Sequence, residues 1–342
     1  MTWSTAVLVT TALLTHLWGP RSGGPLRPRP HPTAFEVTQS EAIERARADF
    51  DAGRYGQAAQ VLEPVTIADT HDVAAYYWLG RARLEERDYH RAVDALTRAV
   101  NLTPDNADYR RWLARAQAEI ADREHSFTMA RRVRQGLEQA VRLDPSNLAV
   151  RRDLMGFYLE APWLLGGGDG KAKAQIDAIA AVDPIAGHLA RAAYWRHKND
   201  GARARTEYEA VLKAAPATIS PYLEAAEFYE RADDGAGLQK AIEGAQEIDP
   251  EEPQLMYFRG AYAVLTRTGL DKAEHELLGY LDGVPPRSDR PPPAATHEWL
   301  GRLYEALDRP DQAMVEYRKA LALQADRDSA RDRLRRLEQR KK

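Results

Sequence analysis

A chain of 342 residues carries 48 Lys and Arg against 51 Asp and Glu, a net charge of -3 with both signs mixed along its length, which gives no general pull toward nucleic acid or anionic lipid. The absence of cysteine excludes disulfides, thiolate metal sites, a cysteine nucleophile and a lipid-modified N-terminal cysteine. Length alone fits two or three ordinary domains, a prior that an internal repeat displaces because a repeat array grows by addition.

The chain opens on Thr2 to Trp18, an uncharged run followed by Gly19-Pro20. This pattern predicts an export signal or short membrane anchor over residues 1–20, hence an exported, periplasmic or membrane-anchored protein, with a cytoplasmic one as the alternative. No Lys or Arg precedes the run, and Arg21, Arg27 and Arg29 follow it, an arrangement that by the positive-inside rule holds that flank in the cytoplasm. Residues 21–38, with their Pro and Gly, read as a linker.

Residues 39–72 hold a first helix-turn-helix unit, with Ala46, Gly53, Tyr55, Ala58 and Leu62 at its key positions. The clearest unit follows, Val73 to Asn106, VAAYYWLGRARLEERDYHRAVDALTRAVNLTPDN. Tyr76, Leu79, Gly80 and Arg83 keep the i, i+3, i+4, i+7 rhythm of one helical face, and Gly80 marks a place where a neighbouring helix approaches closely. Ala92, Leu96, Ala99 and Val100 repeat that logic, and Pro104 ends the second helix. Leu79, Gly80, Tyr89, Ala92, Leu96, Ala99, Leu102 and Pro104 match the small, apolar and breaking positions of the tetratricopeptide pattern, so the segment resembles that family. The resemblance implies an all-α, right-handed superhelical solenoid of about eight helix-turn-helix repeats with a C-terminal capping helix. It implies a non-catalytic protein-interaction scaffold whose first helices line a groove, with no cofactor.

The pattern continues over residues 107–147, about seven residues longer than the usual 34, which predicts longer helices or a longer turn. Residues 148–184 are interrupted by APWLLGGGDGKA, and three further units take the array to residue 286. Residues 287–293 form a Pro-rich joint, 294–327 an eighth repeat with Trp299, Leu300, Gly301 and Tyr304, and 328–342 a polar capping helix with a basic tail whose interleaved acids read as a solvated face.

The glycines of GGGDGKAK do not make a phosphate loop: Gly166 and Gly170 enclose three residues instead of four, Ala172 stands where Ser or Thr would hold magnesium, and the segment follows a helix. Pro162-Trp163-Leu164-Leu165 is an apolar wedge expected to line the groove or pack over a neighbouring repeat. It is similar to the Pro-x-x-x-Gly-Gly insertion of tetratricopeptide proteins linked to bacterial periplasmic solute uptake and of the microtubule-dynamics regulator family. That likeness raises an alternative role, a small-molecule-binding accessory subunit of a solute uptake system with Trp163 and Leu164 in a pocket wall. A third reading is an architectural protein whose outer face contacts an envelope complex. His275-Glu276 and His297-Glu298 lack the second histidine of a zinc-protease helix, and no serine-elbow, dinucleotide or calcium-loop pattern occurs, so no metal site is expected.

On the first helices, Tyr77, Arg81 and Glu85, then Arg111, Arg115 and Glu119, then Arg152, Gly156 and Glu160 are i, i+4 neighbours that share a face. Recurrent guanidinium groups suit a carboxylate, so the expected partner is a protein or peptide with acidic groups. Arg81, Arg111, Arg115 and Arg152 are its expected anchors, and Tyr77, Phe157 and Trp163 its apolar contacts. No nucleic acid is expected. The opposing expectation is that these arginines pair with Glu85, Glu119 and Glu160 along their own helices. Arginines also stand where the family's carboxylate clamp has asparagines.

Overall fold

Helices dominate because each segment combines an apolar stripe with a capping residue. Asp72, Asn106, Asn147, Asp200 and Asp234 each accept a hydrogen bond from the amide three residues on, at 2.9, 3.0, 3.1, 3.0 and 3.0 Å, satisfying a donor that a helix start leaves open. The computed structural model describes residues 34–340, so the expected signal or anchor and most of the linker lie outside the described residues. Within them the chain forms seventeen α-helices, one 3-10 turn and no strand. No helix among the described residues is long and apolar enough to cross a membrane.

The chain divides into two compact units between Gly187 and His188. The first contains α1 (Ala34–Asp51) with α2 (Tyr55–Ala68), α3 (Val73–Glu85) with α4 (Tyr89–Leu102), α5 (Ala107–Arg123) with α6 (Phe127–Leu143), and α7 (Leu148–Glu160) with α8 (Asp169–Val182). Each hairpin packs on the next, and the odd-numbered helices α1, α3, α5 and α7 also meet in succession. Helix α9 (Pro184–His197) spans the division. The second unit continues with α10 (Gly201–Lys213), α11 (Ser220–Arg231), α12 (Gly235–Ile248), α13 (Gln254–Thr266), α14 (Leu270–Gly283), α15 (Pro293–Ala306), α16 (Pro310–Leu323) and the closing α17 (Asp328–Arg340). These elements make eight hairpins and a terminal helix.

One element reaches further than the sequence expectation: α1 (Ala34–Asp51) includes residues 34–38, which the sequence reading assigns to the linker. The extra length of the third repeat is shared between α5 and α6, each 17 residues long against 13 and 14 in α3 and α4. Gly80 has the packing role its position predicts. A Cβ there would lie 2.5 Å from Leu96 Cγ, so the hydrogen atom is what lets α3 and α4 close on each other.

Seven of the eight hairpins turn through a left-handed residue, Gly53, Arg87, His125, Asn199, Asp233, Arg267 or Asp308, and the α13–α14 turn adds a second, Gly269. The exception is the turn between α7 and α8, where Pro162 stops the helix and Trp163–Leu165 forms the 3-10 turn. Gly166 takes φ +93°, and a Cβ on Gly167 would meet the Ala161 carbonyl oxygen, so both glycines are required by the backbone path. The amides of Gly166, Gly167 and Gly168 donate to the carbonyls of Trp163, Pro162 and Tyr158, leaving the loop no inward set of free donors for a phosphate.

Candidate functional site

The face shared by α3, α5 and α7 in the first unit carries the residues that sequence spacing singles out. Arg81 of α3 lies 4.7 Å from the Phe50 ring centroid, 4.5 Å from Trp78, 5.5 Å from Tyr77 and 4.3 Å from Trp112. Arg111 and Arg115 of α5 face the same Trp112 ring at 5.3 and 4.5 Å. Three guanidinium groups therefore share one indole, each gaining about 0.5–2 kcal/mol from the ring's negative face according to its desolvation. Arg81 Nε is buried without a hydrogen-bond partner, and its Nη1 reaches only the Tyr77 hydroxyl, at 3.5 Å.

The arginines are not equivalent. Arg111 Nε donates to Asp153 Oδ2 at 2.7 Å, with side chains only 7% and 6% exposed, and Asp108 lies 3.8 Å from its Nη1. Burial works against the Arg111 charge, but Asp153 and Asp108 outweigh it and hold the group above its usual value. For Arg115 the balance runs the other way: burial, with Arg111 and Arg81 alongside, pulls it down despite Asp153 and Glu85. The acid hydrogen-bonded to Arg111 is thus one from the next repeat, closer than Asp108 on its own helix. Arg111 is held in an internal pair. Arg152 is half-buried on α7.

Tyr77 is tied in as well, its hydroxyl donating to Asp108 Oδ2 at 2.7 Å while its ring packs 4.8 Å from Tyr109; burial pushes the hydroxyl well above its usual value. Phe157 is half-buried against Ala130, Ala161 and Leu165. Trp163 stands apart from this face. It is 83% exposed and Leu164 62%, while Leu165 beside them is buried, so the tips of the wedge project to solvent and its base is packed.

An acidic group closes the C-terminal end of the face. Glu160 reaches solvent, yet the protein around it and then Asp122 push its carboxyl up to about 7 from an ordinary 4.5, and burial also raises Glu119. A folded value above the unfolded one means that the folded state binds more protons, so stability from Glu160 falls as pH rises from about 4.5 to about 7. Asp122→Asn is expected to lower the NMR-observed midpoint of Glu160 yet leave it above the usual carboxylate range, because the larger cause, burial, persists. An unmoved midpoint would remove Asp122 as a cause.

In the second unit the carboxyl of Glu230, at the end of α11, accepts hydrogen bonds from Tyr257 Oη on α13 and Trp299 Nε1 on α15. Arg302 covers the Trp299 ring at 3.8 Å and reaches Asp233 at 2.9 Å. The two His-Glu pairs serve ion pairs. His297 Nδ1 contacts Glu316 at 2.6 Å, Arg327 donates to Glu298 at 2.6 Å, and Arg259 grips Glu276 through two bonds of 2.8 and 2.9 Å. Among the described residues no cluster of His, Asp or Glu is arranged to hold a metal ion.

Trp78, Trp112, Asp108 and Asp153 are the members of the first face that i, i+4 reading leaves out. Their signal is register: Trp78 and Trp112 lie 34 residues apart, as do Arg81 and Arg115, so the same stack recurs at the same place in successive repeats.

Comparison with known proteins agrees with this architecture. The Tetratricopeptide repeat family is matched over residues 49–116 and again over 294–327. The human IFIT1 dimer with PPP-AAAA is similar in structure at 18% identity and a TM-score of 0.52, covering 90% of this chain and 76% of that one. The APC/C hetero-tetramer Cut9-Hcn1 is similar at 12% identity and a TM-score of 0.50, covering 88% of this chain but only 56% of that chain's length. No curated protein matches the sequence. With the repeat pattern matched once in each unit and helix hairpins consecutive between the matches, the chain is a tetratricopeptide-repeat protein.

Proposed function

We propose that this protein is an interaction scaffold whose α3–α5–α7 face captures an extended, carboxylate-bearing peptide. The observation that carries the reading is the arginine nest on Trp112, with Arg81 held by four aromatic rings and its Nε buried without a partner. A guanidinium desolvated on its faces and short of acceptors favours an incoming carboxylate, which supplies charge-assisted hydrogen bonds in its plane. Arg115 adds positive charge beside it, and the Arg111–Asp153 pair fixes the helix spacing on which both depend. Binding of this kind requires no cofactor and no reacting group.

Fluorescence polarisation against a defined panel of acidic, neutral and basic extended peptides tests it. Acidic peptides are expected to bind selectively and to weaken with added salt, and Arg81→Gln to lower their affinity about tenfold or more. Equal binding of acidic and neutral peptides, or unchanged affinity in Arg81→Gln, would overturn the assignment.

A further inference from the structure

The turn between α7 and α8 and the start of α6 form a second surface that the arginine face does not use. Trp163 and Leu164 are 83% and 62% exposed, and Phe127, the first residue of α6, is 61% exposed. The turn is not a loose loop. Leu165 and Ala161 are buried with Ala130 of α6, the Arg134 side chain lies against Gly166, and Lys171 Nζ donates to the Gly166 carbonyl at 2.8 Å. Phe127, Arg131 and Arg134 are spaced i, i+4, i+7 and so form one stripe of α6, the stripe that borders the turn.

The charge on this surface is unlike that of the rest of the protein. Arginines elsewhere are mostly paired, as in Arg83 with Glu63 and Glu86, Arg259 with Glu276 and Arg327 with Glu298. Arg131, Arg134 and Lys171 have no carboxylate partner among the described residues, and Arg134 Nε is buried without any acceptor. The neighbouring acids are engaged: Asp169 lies 3.2 Å from Lys173, and Glu138 accepts from the Tyr158 hydroxyl at 3.0 Å.

From this we infer that Phe127, Trp163 and Leu164, flanked by Arg131, Arg134 and Lys171, form a docking surface for an anionic phospholipid bilayer. Two adjacent apolar tips on a rigid turn, one of them an indole, suit the boundary between headgroup and acyl chain, where an aromatic ring keeps its polar edge wet. Cations on long apolar stems beside them reach lipid phosphates as the tips enter. The features that would favour a protein in the same place are missing: the glycine amides donate within the loop, leaving no edge for an added strand, and the tips project instead of lining a hollow. The net charge of -3 is no obstacle, because screening confines the attraction to the cations nearest the surface.

The test is co-sedimentation of the full chain with phosphatidylcholine vesicles with and without phosphatidylglycerol, with wild type beside Trp163→Ser/Leu164→Ser and Arg131→Glu. All three altered residues are exposed, and circular dichroism checks that the fold persists. Wild type is expected to prefer the anionic vesicles and lose that preference as salt rises. Each variant is expected to weaken binding about tenfold or more. Arg81→Gln is expected to bind vesicles as wild type does, which separates this surface from the peptide face. Absence of an anionic preference in wild type overturns the inference. So does full binding by both variants, which would move the contact to the apolar run Thr2 to Trp18. Loss of a defined protein partner by the variants, with vesicle binding intact, assigns the patch to protein and overturns it as well.

Discussion

Arg111→Ala is expected to destabilise the first unit by about 3–5 kcal/mol, a large share of what holds a domain together. The substitution removes one member of a pair whose atoms meet at 2.7 Å and whose side chains are both nearly inaccessible, leaving the Asp153 carboxylate in the interior without its hydrogen-bonded cation and with only the weakened charge of Arg115 nearby. Breaking such a pair costs far more than the pair contributes, because the remaining charge keeps its desolvation penalty. The double replacement Arg111→Met with Asp153→Leu should therefore recover most of the loss, since neither charge is then buried. Urea unfolding, with hydrogen exchange of the α5 and α7 amides to place the effect, provides the measurement. A loss below about 1 kcal/mol would make the pair a surface one in energetic terms. The same geometry makes charge reversal at Arg111 a poor probe of binding, because a glutamate there would face Asp153, so Arg81 is the position to alter.

Trp299→Ala in the second unit should cost about 3–5 kcal/mol from lost burial and the cavity left behind. Trp299 is 3% exposed, and its indole nitrogen is one of two donors to Glu230. Trp299→Phe separates the two contributions, since it keeps most of the ring and deletes the donor, for about 1–3 kcal/mol. The two variants also differ from wild type in pH dependence. Burial raises the Glu230 carboxyl above its ordinary value while the bonds from Trp299 and Tyr257 restrain the rise, so deleting the indole donor raises it further. An acid raised on folding keeps its proton longer in the folded state, so stability falls as pH climbs from the ordinary carboxylate range through the raised value. Trp299→Phe is therefore expected to lose more stability at neutral than at acid pH, relative to wild type, in urea unfolding at both. A penalty independent of pH would mean that the indole contributes shape alone.

The arginine face illustrates how much of a site one sequence exposes. Tyr77, Arg81, Arg111 and Arg115 follow from i, i+4 spacing on helices recognisable by their apolar stripe and their caps. Within a helix, backbone geometry alone places such residues on one face. Their partners do not follow from it. Asp153 is 42 residues from Arg111, whereas within-helix spacing offers only Asp108, three residues before it. Only the offset between neighbouring hairpins brings α7 against α5 closely enough for the distant acid to take the guanidinium.

The repeat length, the helix count, the caps, the close approach at Gly80 and the backbone demand for glycine at Gly166 and Gly167 are determined by the sequence itself. Each is a local consequence of apolar periodicity, a missing side chain or a left-handed backbone angle. The tertiary structure alone decided that Arg111 is an internal tie and Arg81 an aromatic-caged cation. It also placed Trp163 and Leu164 outside the packed core and joined Glu230 to Trp299 across 69 residues. Those outcomes depend on how one hairpin seats on the next, a non-local packing problem in which small shifts between helices choose which of several plausible partners is buried and which is left in water.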